Sequence, residues 1–308
     1  MIKKNLVHIG IHKSGSSFLQ AKIFPKVKNF TNLSFYENNS FTNDIRYFQS
    51  CSELHFDENK ITNLINFFKN FSNDDKKILI SSEAFTGSIS TQTFGTCIFI
   101  EMLAKRIKKY IPNTKIILVL RNQKDAIYSL YKDDIQYGYT CNFNDWIKER
   151  LKTNSLDYFK YDKLISFYQN LFGKENLHTF LYEDIFKDFN GFKIFLNELD
   201  MEIDLTDNDI KNLMNSEKTN SSNSSTITNF TRILNRFIKT KLSQSYTDGK
   251  YNLPVYNFWR YFLSKKLSKF LKKNSKPSSE AFNLFLKELD NNNLFKILNK
   301  NFNEKYFF

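Results

Sequence analysis

The chain has 308 residues, with 45 lysines and arginines against 32 aspartates and glutamates, and 41% of its residues are hydrophobic, 33 of them phenylalanine. That much apolar and aromatic side chain excludes a disordered polymer, and the length allows one large α/β domain with or without an appended lobe. The net charge of +13 points to anionic ligands, whereas the dispersed basic residues and the lack of a reader motif argue against nucleic acid.

Residues 5–11 read as a first buried strand, and a helical apolar face carrying Phe18, Leu19 and Ile23 follows over about 15–26. Between them lies Gly10-Ile11-His12-Lys13-Ser14-Gly15-Ser16-Ser17. Gly15 lets the backbone approach an anion, the N–H groups of the helix start point outward, and Lys13 adds a full positive charge. Ser14, Ser16 and Ser17 add hydroxyls. The nucleoside-triphosphate loop requires the lysine directly after its second glycine, and here Lys13 precedes Gly15. A Ser-rich helix cap with one exposed lysine is the plainer reading of this loop taken alone.

Downstream, Leu33-Ser34-Phe35-Tyr36 suggests a short second strand with Glu37 just after it, and residues 60–71 carry apolar positions at helical spacing. A buried strand at 77–81 runs into Ser82-Glu83-Ala84-Phe85. A helix around 95–111 precedes the apolar run Lys115–Leu120, which has the pattern of a central parallel strand and ends in Arg121. Ser129 lies two helical turns further on, within a helix expected over 123–136. Ligands of open α/β sheets bind at the carboxyl ends of strands, so Arg121 and Ser129 are candidates to share one phosphate. Helices over 143–151, 158–172 and 190–199 surround a further strand at 177–182, and the alternation implies a parallel sheet of the P-loop type flanked by helices.

The polar stretch Asn215–Ser225 reads as a loop or hinge, in which Lys218 and Asn220 are weak candidates for nucleotide contact, and Arg232–Arg236 follows it. Residues 1–240 are expected to form the core and 241–308 a helical lobe packed on it. Within the lobe, Lys265, Lys266, Lys269, Lys272 and Lys273 alternate with Leu263, Leu267, Phe270 and Leu271 as a basic amphipathic helix. A solvated face is the plainer reading of that helix, and peripheral contact with a membrane surface is the alternative.

The loop Lys13-Ser14-Gly15-Ser16-Ser17, together with Arg121 and Ser129 eight residues later, resembles the sulfotransferases that use 3′-phosphoadenosine 5′-phosphosulfate (PAPS). In that family a Lys-x-Gly-Thr/Ser-Thr/Ser loop binds the 5′-phosphosulfate and the Arg/Ser pair binds the 3′-phosphate. Tyr182-Glu183-Asp184-Ile185 is similar to a later segment of the same family. His12 and Gln123 stand where many members carry proline, without removing a phosphate donor. The resemblance implies PAPS as donor and a hydroxyl acceptor, on a sugar of a surface glycan or its lipid-linked precursor. It implies Lys13 at the departing phosphate and no metal. Glu83 is the first candidate for general base, with Glu37 and His12 as competitors. Two other classes stay open: a P-loop phosphotransferase, for which the strands at 78–80 and 115–120 offer no acid although Glu83 follows, and a nucleotide- or glycan-binding protein without turnover.

Cys51, Cys97 and Cys141 form no Cys-x-x-Cys pair, and the four histidines show no metal-ligand spacing. The amino terminus enters the first strand directly, and no apolar run approaches the length of a membrane helix. A cytoplasmic location is expected, with the inner face of the membrane as the place of any peripheral contact.

Overall fold

A computed structural model of the chain describes residues 5–33, 41–71, 77–86, 99–111, 113–219, 225–235, 279–289 and 291–298. Five strands, β1 (Asn5–Ile9), β2 (Phe30–Asn32), β3 (Lys77–Ser82), β4 (Thr114–Leu120) and β5 (Leu177–Leu181), form one parallel sheet in the order β2-β3-β1-β4-β5. β1 sits at the centre, with Val7 opposite Ile80 on one side and Ile116 on the other. The register brings Ile9 level with Ser82 and Leu118. The turns after β1, β3 and β4 therefore leave the sheet along one edge.

The helices in chain order are α1 (Ser16–Phe18), α2 (Thr42–Ser50), α3 (Thr62–Phe71), α4 (Ile100–Tyr110), α5 (Gln123–Gln136), α6 (Phe143–Lys152) and α7 (Tyr161–Phe172). They continue with α8 (Tyr182–Lys187), α9 (Phe189–Glu198), α10 (Asp207–Thr219), α11 (Ser225–Leu234), α12 (Glu280–Glu288) and α13 (Asn291–Leu298). Side chains alternate across a strand, and both faces of this sheet are covered, so its central strands are apolar throughout. Val7, Ile9, Ile78, Ile80, Ile116, Leu118 and Leu120 belong to one core, with α2 to α7 and the C-terminal helices. Leu6, Leu79, Ile117, Val119 and Phe180 belong to the other, with residues 18–24, α9 and α10.

The helix expected over 15–26 is present but irregular: α1 widens into a π-helical stretch at Leu19–Ile23 and tightens to a 3₁₀ turn at Phe24–Lys26. The second strand is described at Phe30–Asn32, ahead of the expected 33–36. Leu33 still donates its N–H to the Leu79 carbonyl (2.8 Å), whereas residues 34–36 lie outside the described ones. Of the loop expected over Asn215–Ser225, residues 215–219 belong to α10 and residues 220–224 lie outside the described ones. Lys218 is thus in the last turn of α10, and Asn220 is outside the described residues. α8, absent from the sequence reading, starts directly at the end of β5.

Of the C-terminal residues, α12 and α13 are described, and the basic helix of 263–273 lies outside. Phe282 meets Phe143 edge-to-face at 5.2 Å, and Phe282, Phe285, Leu286, Leu294 and Phe295 are buried in the same core as α6 and α7. No helix among the described residues is long and apolar enough to cross a membrane.

Candidate active site

The turn after β1 owes its shape to backbone constraints at three residues. Gly10 donates its N–H to the Ser82 carbonyl (3.2 Å), and a Cβ there would lie 2.9 Å from Glu83 Cγ and 3.0 Å from Glu83 Cα. The exits of β1 and β3 therefore touch, and only glycine leaves room. Lys13 and Gly15 both have left-handed backbones, at φ 68° and 84°. At Gly15 a Cβ would come 2.7 Å from the Phe186 ring of α8, so α8 forms a wall of the loop.

The three loop serines occupy different environments. Ser14 is fully buried, and both its N–H (3.2 Å) and its hydroxyl (2.5 Å) donate to the Ile11 carbonyl. Ser16 is buried with its hydroxyl 3.4 Å from the same oxygen, while Ser17 is exposed. Two of the three hydroxyls are thus turned inward, where they hold the turn. What the loop offers an anion is the opening N–H groups of the helix, the Ser17 hydroxyl and the positive end of the peptide dipoles.

Arg121 ties the second motif to this loop. Its guanidinium donates to the Lys13 carbonyl (2.7 Å) and lies over the Tyr182 ring at 4.8 Å. Its own carbonyl accepts from the Tyr161 hydroxyl (3.0 Å). The next residue, Asn122, caps α5 by accepting the Asp125 N–H (3.0 Å), and its own N–H donates to Glu183 Oε1 (2.9 Å). Gln123 is buried and donates from Nε2 to the Phe159 carbonyl (3.0 Å). Ser129 is half-buried in the second turn of α5. One turn beyond it, the Asp133 carboxylate forms an ion pair with the Lys13 ammonium.

Glu83 and His12 come together. Glu83 opens a 3₁₀ turn at the end of β3, and its Oε2 lies 3.4 Å from His12 Nδ1, with 31% and 20% of the two side chains exposed. Ser82, not Glu83, caps that turn by accepting the Ala84 N–H (3.2 Å). Burial acts to raise the Glu83 carboxyl, but the hydrogen bond and charge of His12, with the charges of Lys13 and His8, outweigh it and hold Glu83 below the ordinary glutamate value. Beneath this pair, His8 of β1 is fully buried, its Nδ1 2.6 Å from the Ser81 hydroxyl, which also accepts from Gln20 Nε2 (2.9 Å). Burial pushes His8 down to about 4. Glu37 lies outside the described residues.

Sequence reasoning missed Asp133, Tyr161, and the use of Tyr182 as a support for Arg121 and of Glu183 for Asn122. Burial pushes the Glu183 carboxyl up, against the Asn122 N–H and the Arg121 charge. For Glu183 a signal existed in the Tyr-Glu-Asp-Ile segment. For Asp133 its place one helical turn after Ser129 would have served.

A central parallel sheet, a glycine-bearing turn after its first strand and an arginine at the end of a neighbouring strand define an α/β protein of the phosphate-loop class. The particular family follows from comparison: the sulfotransferase domain model matches residues 3–194. The chain belongs to that family, and sulfotransfer is the activity that goes with it. A crystal structure of a sulfotransferase from Alicyclobacillus acidocaldarius is similar at 15% identity and a TM-score of 0.45, over 67% of this chain and 84% of that one. None of the curated proteins matches the chain.

Proposed function

We propose that the protein transfers a sulfuryl group from PAPS to a hydroxyl of a carbohydrate, on a surface glycan or its lipid-linked precursor. The observation that carries the donor assignment is the Arg121 guanidinium on the Lys13 carbonyl at 2.7 Å, which joins the two family motifs in one rim. The residue types present suit the donor: the helix-opening N–H groups, Ser17 and Lys13 would hold a 5′-phosphosulfate, and Arg121 and Ser129 would hold a 3′-phosphate. PAPS supplies a sulfur already bonded to a good leaving group. In the transfer that sulfur–oxygen bond breaks, a new one forms to the acceptor oxygen, and 3′-phosphoadenosine 5′-phosphate leaves with the electron pair.

The chain's own part is positioning, charge and proton removal. Lys13 and the helix start stabilise the charge that grows on the departing phosphate. Glu83 is the base: it sits on the same sheet edge as the loop, 3.4 Å from His12, and, against the effect of burial, the hydrogen bond and charge of His12 hold its carboxyl below the ordinary glutamate value. The carbohydrate acceptor rests on the family resemblance, because fold and donor site do not name an acceptor. The positive net charge favours capture of a polyanionic donor.

The test incubates the protein with sulfur-labelled PAPS and a glycan extract, and measures binding of 3′-phosphoadenosine 5′-phosphate by calorimetry. Labelled carbohydrate and a binding isotherm weakened at least tenfold by Arg121→Ala are expected. Absence of binding, or binding indifferent to Arg121→Ala, would refute the donor. Transfer of labelled phosphate from a nucleoside triphosphate would replace it with the phosphotransferase reading.

A further inference from the structure

Lys13 is held at both ends. Its carbonyl is bound by Arg121, its backbone is fixed in the left-handed region, and its ammonium is paired with Asp133 on α5. The helix presenting that carboxylate is firmly anchored. Adjacent Asp134 is buried and accepts from Trp146 Nε1 and Arg150, both at 2.7 Å. Buried Asn235 donates to the Ile135 (2.7 Å) and Tyr139 (3.0 Å) carbonyls at the end of α5. Asp133 is therefore a fixed anion beside Ser129, and it engages the cation that a phosphate in the loop would also engage.

We propose that Asp133 is a positioning residue for Lys13: it holds the ammonium between the loop and the Ser129 turn, and it competes with the nucleotide's phosphate for that charge. Both partners are about one-third exposed (28% and 32%), so the pair is weak enough for a phosphate to draw the lysine away. The competition lowers nucleotide affinity and so favours release of 3′-phosphoadenosine 5′-phosphate after transfer. This inference rests on the donor reading given above.

The experiment measures 3′-phosphoadenosine 5′-phosphate binding and PAPS steady-state kinetics for wild type, Asp133→Asn, Asp133→Glu, Lys13→Met and the Lys13→Met/Asp133→Asn double variant. Removing a competing exposed anion is expected to tighten binding and lower the KM for PAPS about two- to fivefold. Asp133→Glu is expected to restore wild-type values, and Asp133→Asn to give no gain once Lys13 is methionine. Unchanged or weaker binding by Asp133→Asn would overturn the proposal, as would an equal gain in the Lys13→Met background, which would mean general electrostatics and not Lys13. If wild type binds no nucleotide at all, the donor reading falls first and this inference with it. If wild type binds and Arg121→Ala weakens it, a negative Asp133 result counts against this inference alone.

Discussion

His8 gives the protein an acid-labile spot directly under its candidate site. The ring lies in the central strand, its Nδ1 meets the Ser81 hydroxyl, its Nε2 is buried without a hydrogen-bond partner among the described residues, and Phe24 packs edge-on at 5.4 Å. Burial holds it neutral down to about 4 in the folded protein, whereas an unfolded histidine protonates near 6.5. Below that value the unfolded chain binds a proton that the folded one refuses, so stability falls as pH drops from about 6.5 towards 4. With those two values, the linkage relation gives a penalty of about 0.2 kcal/mol at pH 7 and about 2 kcal/mol at pH 5. Against a total of about 5–15 kcal/mol this is a large loss for one ring. The assay is urea unfolding of wild type and His8→Asn at the two pH values. Asparagine keeps a polar atom near Ser81 but does not titrate. Other titrating groups are common to both proteins and cancel in the difference. Wild type should lose about 2 kcal/mol more than the variant between pH 7 and 5. Equal losses would show that the ring protonates inside the fold and refute the reasoning. The His8 ring resonances provide an independent check, since they should titrate near 4 and not near 6.5.

Glu83→Gln should leave 3′-phosphoadenosine 5′-phosphate binding within about twofold while lowering kcat about 10²–10⁴-fold, as expected for loss of a general base. A kcat within tenfold of wild type would remove Glu83 from that role. Gly15→Ala forces a Cβ onto the Phe186 ring in a left-handed backbone, so urea unfolding should show a loss of about 1–3 kcal/mol together with weaker nucleotide binding. Phe282→Ala opens a cavity against Phe143 where α12 joins the main core. It should cost about 3–5 kcal/mol in the same unfolding assay, with nucleotide affinity of the folded protein unchanged.

The strands were legible because burial on both faces leaves a continuous apolar signature, as in Lys115–Leu120 and Lys77–Ser81. Helix α5 was legible to the residue, since Asn122 is a strong N-cap and the apolar spacing continues to Ile135. The second strand was misplaced by three residues. Its pairing with β3 covers only Phe30–Asn32, and so short a strand has too little periodicity to fix its register. The π-helical stretch had no signal either: Leu19–Ile23 contains no glycine or inserted proline, and tertiary packing of Phe18, Leu19, Ile23 and Phe24 sets its form. At the site, residue types were readable but directions were not. Ser14 and Ser16 look like ligand donors in a string of letters, and only the fold reveals that their hydroxyls meet the Ile11 carbonyl.

The position of the lysine follows from the same local geometry. In a triphosphate loop the lysine opens the helix and reaches along its axis towards the terminal phosphates. Here Lys13 comes two residues before the Gly15 cap, in a left-handed turn whose carbonyl Arg121 holds. From that place its stem runs sideways to α5, and the ammonium arrives beside the Ser129 turn at Asp133. Setting the lysine three residues earlier than a triphosphate loop does thus couples the loop to the helix that carries Ser129. A ligand with phosphates at two separate positions would engage both ends of that link, and a linear triphosphate would engage one. The double substitution Lys13→Ser/Ser16→Lys puts the lysine directly after Gly15, with four residues between Gly10 and Gly15 and Ser17 following, which is the order and spacing of a triphosphate loop. The expected result is loss of 3′-phosphoadenosine 5′-phosphate binding with no gain in ATP binding, measured side by side by calorimetry. Acquisition of ATP binding by that variant would show that loop chemistry alone chooses the ligand, without the α5 contact.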